Sequence, residues 1–362
     1  MKLTAEITPF QFYTVLFLCR VFAMVTYVAG VREQLTSTDE VIAAVVTGIF
    51  LIITAIPVVL FLRKDSKSSI ITRAECISPL FSKILCIIYL GSYLWFGIIT
   101  SVRFGIFTGS VMFPDTDVVF FIVMMLAASS YIALKGIECI GRSSVIILIP
   151  VIGAMIFVFA TQSERFDILN FTHPFTDSIK DIASSGFYSA SRTGELAFPV
   201  LLAPFVKKQK EKHVFSWIFI ITAVITVTEI ILTGVLGKFG STQLFSMHSL
   251  SVLAQTGFIE RLDAIITCMW LLCAAIKISI TLFLCGNLFS SLIGKQKNVM
   301  YILLSAVVIL IGSLPLADNL ISLTEIIRSP LTFILFLATV CIFPVTVMLG
   351  EKLKERKKHE KA

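Results

Sequence analysis

Lys277 lies in the stretch FIERLDAIITCMWLLCAAIKISITLF, residues 258–283, which is apolar enough to cross a bilayer yet places an ammonium group near its middle. A bare charge at that depth is expensive. Intramembrane ions pair with one another or face a wet cavity, and they mark ligand or ion pathways. Arg20 and Arg192 are further cations deep in apolar runs, and Glu195 and Glu229 are carboxylates at comparable depth. The chemistry on offer is ion pairing and recognition of a charged group. Three core cations against two core carboxylates leave a small positive excess, which suits an anionic group on a ligand. For Lys277 and Glu195 the competing reading is a purely structural pair, and for Glu229 the two readings weigh equally. Arg103 stands close enough to a helix end to snorkel.

Catalysis is poorly served by this residue set. The eight cysteines lie mostly inside apolar segments and form no C-x-x-C pair, so neither a metal site nor a disulfide framework is signalled. The four histidines, His173, His213, His248 and His359, are scattered through loops and the tail. With no nucleophile–base set and no metal-ligand spacing, we expect no enzyme, no metal and no cofactor, and no nucleic-acid partner.

The elements that hold these charges are helices in lipid. The chain of 362 residues is 57% hydrophobic and 15% charged, with a mean hydropathy of +0.94, whereas a soluble domain carries about a quarter charged residues. Val41–Leu62 contains no charge and has the length of about 20 residues that a spanning helix needs. The fold class is an all-α polytopic membrane protein. Apolar windows predict ten transmembrane helices at 8–30, 40–62, 80–107, 117–134, 143–161, 186–206, 213–237, 258–293, 298–315 and 325–349, with a loop helix within 241–256. The first is expected to be retained rather than cleaved, because no small-residue cleavage site follows it. Residues 1–350 form the ten-helix domain and 351–362 a basic tail.

Alternating the loops puts twenty basic residues on one side and four on the other. Cytoplasmic loops are the basic ones, so both termini are expected inside. The tail EKLKERKKHEKA reads as a topological anchor, with binding to anionic lipid heads as the alternative.

Two spans look interrupted. The sixth, SSGFYSASRTGELAFPVLLAPF, is Ser-, Gly- and Arg-rich at its start and carries Pro199 and Pro204 further on. The first has its interruption around Arg20. Irregular backbone at membrane depth is tolerated only where it lines protein or a cavity. Interrupted helices at matching places in two halves point to an inverted-repeat transporter with a midplane site.

Several stretches resemble one family, the GerAB-type spore germination permeases of the amino acid–polyamine–organocation superfamily. The strongest is Glu260-Arg261, Trp270 and Lys277-Ile278-Ser279. YIALKGIECIGR is similar in Tyr131, Gly136, Glu138 and Arg142, GELAFPVLLAPF in Gly194, Glu195, Pro204 and Phe205, and ITPFQ in its end at Gln11. The resemblance implies a LeuT-like 5+5 inverted repeat with helices 1 and 6 interrupted. It also implies a germinant-sensing subunit in the spore inner membrane that works with a larger A-type membrane subunit and a C-type lipoprotein subunit. By that analogy a small germinant, an amino acid or similar, binds at Val21, Phe22, Ala23, Met24, Tyr93, Gly97, Ser189, Ser191, Arg192, Glu195, Ile276 and Lys277, to which Arg20 is added on its own chemistry. Tyr93 would offer its hydroxyl to the ligand, and Lys277 would bridge helices or hold Glu195. Relatives carry a Gly-x-Gly break in the first helix where this chain has Phe22 and Met24, and bulky residues oppose close backbone approach. Arg20 either supplies the missing anion contact or neutralises Glu195 or Glu229. A proton-coupled amino-acid permease and a ligand-free assembly subunit are the rival readings.

Overall fold

The computed structural model describes residues 6–25, 35–243, 245–254, 263–295, 297–317 and 319–359. In chain order the helices are α1 (Pro9–Val25), α2 (Ser37–Lys64), α3 (Ile70–Ile77), α4 (Pro79–Val111), α5 (Val118–Leu134), α6 (Ile137–Thr161), α7 (Ile179–Ser191), α8 (Phe198–Leu201), α9 (Glu211–Leu236), α10 (Lys238–Thr242), α11 (Ser246–Leu253), α12 (Asp263–Ile293), α13 (Asn298–Ser313), α14 (Leu320–Arg328), α15 (Pro330–Leu337) and α16 (Phe343–His359). Among the described residues there is no strand, only an isolated bridge between Ile7 and Val206.

Seven helical segments are long and apolar enough to cross a membrane, and α1 and α5 are shorter apolar helices. Together with the broken segment that begins at α7, they occupy the ten expected places. The last span is less regular than expected. Pro330 starts α15 after a turn at Ser329, and one π-helical stretch, Ala338–Ile342, joins α15 to α16. α16 then runs through residue 350 into the basic tail without a break.

α12 is the central post. In its apolar window 72% is buried, against 28% for α6 and α13. It packs against α1, α4, α5, α6 and α13, while α2 packs against α7 and α9. The apolar side chains of α2 at Ile49, Ile52, Ile53, Ile56 and Leu60 are exposed, as a lipid-facing stripe requires.

The sixth span is broken, and its residues explain where. α7 ends at Ser191, Arg192 and Thr193 leave helical geometry, and a 3-10 turn at Gly194–Ala197 leads into α8. Pro199 has no N–H to give the Glu195 carbonyl, so an α-helix cannot continue through it. The start of α7 is tied down by Asp39, which is fully buried and accepts from the backbone N–H groups of Phe175 (2.7 Å) and Asp177 (2.8 Å). At the far end, the Ile7 N–H donates to the Phe205 carbonyl and the Lys207 N–H to the Ile7 carbonyl, each at 2.9 Å.

The first span departs from expectation. α1 is continuous from Pro9 to Val25, with no interruption at Arg20. Residues 10–25 contain neither glycine nor proline, and the Arg20 guanidinium reaches a partner helix without any local unwinding. Residues 26–30 of that predicted span lie outside the described residues, as do Glu260 and Arg261.

Candidate functional site

The α1 carbonyls between Cys19 and Ala23 are ringed by side-chain donors. Here the Lys277 Nζ donates to the Cys19 carbonyl (3.4 Å), the Trp270 Nε1 to the Phe22 carbonyl (3.3 Å), and the Arg103 guanidinium to the Ala23 carbonyl (3.3 Å). Trp270 is held in register by Phe22 and Phe104, which stack on it at 5.2 and 5.3 Å. The end of α7 is met in the same way: Arg20 donates to the Ser189 carbonyl at 3.3 Å and to its hydroxyl at 3.4 Å. Carbonyls of α1 and of the end of α7 thus meet cations from α1, α4 and α12.

Lys277 has its carboxylate. Its Nζ lies 2.5 Å from the Glu195 Oε1, with the side chains 13% and 5% exposed, and 5.5 Å from the centre of the Phe22 ring. The other Glu195 oxygen, Oε2, is buried and meets no hydrogen-bond donor. Glu195 reaches this position because the backbone around it comes very close to α4. A Cβ on Gly194 would stand 2.9 Å from the Phe96 ring, and the Tyr93 hydroxyl donates to the Gly194 carbonyl at 3.1 Å.

Two adjoining spaces open beside this arrangement. A recess of about 50 Å³ is lined by Tyr93, Phe96, Gly194, Glu195, Lys277 and Thr281, among others. It has room for little more than a water. A cavity of about 570 Å³ is lined by Arg20, Met24, Ser189, Glu40, Glu229 and Lys238, among others, within the size range of small-molecule sites. Ala23, Arg103, Arg192 and Ile327 line both. They form the partition between the large cavity and the ion pair.

The predicted site residues therefore separate into groups. Arg20, Ala23, Met24, Ser189 and Arg192 line the large cavity, and Tyr93, Glu195 and Lys277 line only the recess. Val21, Phe22 and Ile276 are buried in the apolar core and line neither space. The Ser191 hydroxyl is turned back to the Tyr188 carbonyl at 2.8 Å. Gly97 faces α13 and α12: a Cβ there would meet Ile309 at 2.6 Å and Thr281 at 3.5 Å. The Tyr93 hydroxyl is engaged by backbone rather than offered to a ligand. Arg103, expected to snorkel, instead points inward to α1, where the Ala23 carbonyl accepts from it. Glu40, Arg103 and Lys238 were missed as cavity residues because each looked like an ordinary helix-end charge; Arg103, buried by five residues or so from its predicted end, carried the only usable signal.

These features define a polytopic helical membrane protein whose broken helix abuts a large cavity lined by charged residues. A family model described as spore germination protein matches residues 6–321, and the chain belongs to that GerAB-like family. No match was found among the curated proteins.

Proposed function

We propose that this chain is the germinant-sensing membrane subunit of a spore germination receptor, with a small nutrient, an amino acid or similar, bound in the large cavity. The observation that carries the reading is the composition and place of that cavity. Its described lining brings Arg20, Arg103, Arg192 and Lys238 together with Glu40 and Glu229, beside Arg20–Met24 of α1 and the end of α7. Such a mixture suits a ligand bearing both an anionic and a cationic group. The arginines would take the carboxylate as charge-assisted hydrogen bonds.

In this reading the ten spans form a LeuT-like 5+5 inverted repeat, both termini are cytoplasmic, and the protein sits in the spore inner membrane. It is not an enzyme. A larger A-type membrane subunit and a C-type lipoprotein subunit receive the signal. A ligand shifts a conformational equilibrium only by its differential affinity for the two states. Arg192 is well placed to produce that difference, since it borders both the ligand cavity and the recess of the Lys277–Glu195 pair.

A thermal-shift screen of the purified protein against amino acids, sugars and nucleosides tests this. The expected result is a rise in Tm with one class, lost in Arg192→Gln while the ligand-free Tm holds. No shift with any compound would contradict the reading and favour an assembly role. One observation supports a second reading, a proton-coupled amino-acid permease: the buried Glu195 Oε2 meets no hydrogen-bond donor. Uptake into proteoliposomes that collapses with the pH gradient would select it.

A further inference from the structure

A second large concavity lies away from the charged cavity, on the outer surface of the bundle. It is a groove of about 690 Å³ between α1, α6 and α9, almost entirely apolar, with Phe17, Phe159, Trp217 and Val227 among its lining. On α9 it runs from His213 to Val227, about 21 Å of helix. Half the hydrocarbon core of a bilayer is about 15 Å, so the groove spans a full leaflet from headgroup level inward.

The chain leading into its His213 end is polar and basic. Lys208, Lys210 and Lys212 are exposed and make no ion pair among the described residues, whereas Lys207 is engaged by Glu6 at 3.5 Å. The His213 Nδ1 accepts from the Lys210 N–H at 3.2 Å, which leaves the Nε2 to carry the ring's proton as a donor. Tyr13 lies against His213, ring centres 5.9 Å apart, and accepts from Gln209 at 3.4 Å. Two buried polar atoms here have no partner: the Gln209 Oε1, behind Tyr13, and the indole Nε1 of Trp217. Trp217 is 3% exposed and stands one turn, about 6 Å, inward of His213.

We propose that this groove is a binding site for one anionic phospholipid, with an acyl chain along α9 past Trp217 and the phosphate among Lys208, Lys210, Lys212 and His213. A partner's transmembrane helix fits less well, because close helix packing uses small residues and the groove is floored by Phe17, Phe159 and Trp217. The assignment is independent of what the charged cavity binds.

The test is quenching of tryptophan fluorescence in the full-length protein by phosphatidylglycerol brominated on its acyl chains, with equally brominated phosphatidylcholine as the control. The brominated anionic lipid should quench at roughly tenfold lower mole fraction. That preference should vanish in Lys208→Gln/Lys210→Gln/Lys212→Gln, whose exposed positions leave folding intact by thermal melting. The preferentially quenched signal should be missing in Trp217→Phe. Equal quenching by both lipids, or a preference that survives either variant, would overturn the site. Absence of quenching by either lipid would mean that another protein surface covers the groove, and would overturn it as well.

Discussion

Two buried ion pairs in this molecule are built to different standards. At the end where the basic tail emerges, Arg73 of α3 meets Glu351 of α16 through a two-pronged contact, with both carboxylate oxygens engaged at 2.6 Å. The same guanidinium donates to the Phe61 carbonyl at 3.0 Å and lies 3.8 Å from the centre of the Phe61 ring, while Lys64 adds a contact to Glu351 at 3.1 Å. Every charged atom has its match. At the centre of the bundle, Lys277 holds one oxygen of Glu195 and leaves the other without a donor, facing a recess that adjoins a large cavity. A saturated pair staples helices together. A half-saturated one keeps a binding valence that a proton, a water or a rearranged neighbour can fill, and such valences belong to functional sites more than to scaffolding.

The sharpest way to break this contrast is to remove one charge from each pair. Lys277→Met leaves Glu195 buried and uncompensated, and loss of one partner of a buried pair costs about 3–5 kcal/mol. The double variant Lys277→Met/Glu195→Gln should recover most of that in thermal or denaturant unfolding in detergent. A single variant as stable as the parent would show that the pair is not electrostatically coupled. Glu351→Ala should cost somewhat less, about 2–3 kcal/mol, on the scale of a hydrogen bond to a charged group, because Arg73 keeps the Phe61 carbonyl and ring and Lys64 keeps Glu355. Its readout is the melting point and the protease sensitivity of α16; an unchanged tail would contradict the staple. The smallest effect is expected at the exposed Glu138–Arg142 pair, 3.3 Å apart on one face of α6. Arg142→Ala should change stability by no more than about 0.5 kcal/mol, and a larger loss would mean that this family-motif pair touches something beyond its own helix.

Part of this arrangement was legible from residue types alone. Pro199, Pro204 and the Arg192–Thr193–Gly194 run announce the break in the sixth span, because missing N–H groups and poor helix formers are local properties. The need of Lys277 for a carboxylate follows from its depth, and Glu195 was among the few candidates. What escaped was tertiary. The break expected at Arg20 does not exist, since an arginine can satisfy itself across a helix interface, here on Ser189, 169 residues later in the chain. Gly97 read as a pocket residue but serves the packing of α4 on α13. The division of one expected pocket into a recess and a larger cavity, with Arg192 and Arg103 between them, depends on how four helices meet, which no single segment encodes.

The central claim is that the Lys277–Glu195 pair belongs to ligand sensing while the Arg73–Glu351 pair holds the fold. The direct test is the concentration of germinant giving half-maximal response in spores carrying Glu195→Gln or Glu351→Ala, at matched receptor levels. The account predicts a shift of tenfold or more for Glu195→Gln and an unchanged midpoint for Glu351→Ala. Equal midpoints in both variants, or a shift confined to Glu351→Ala, would contradict it.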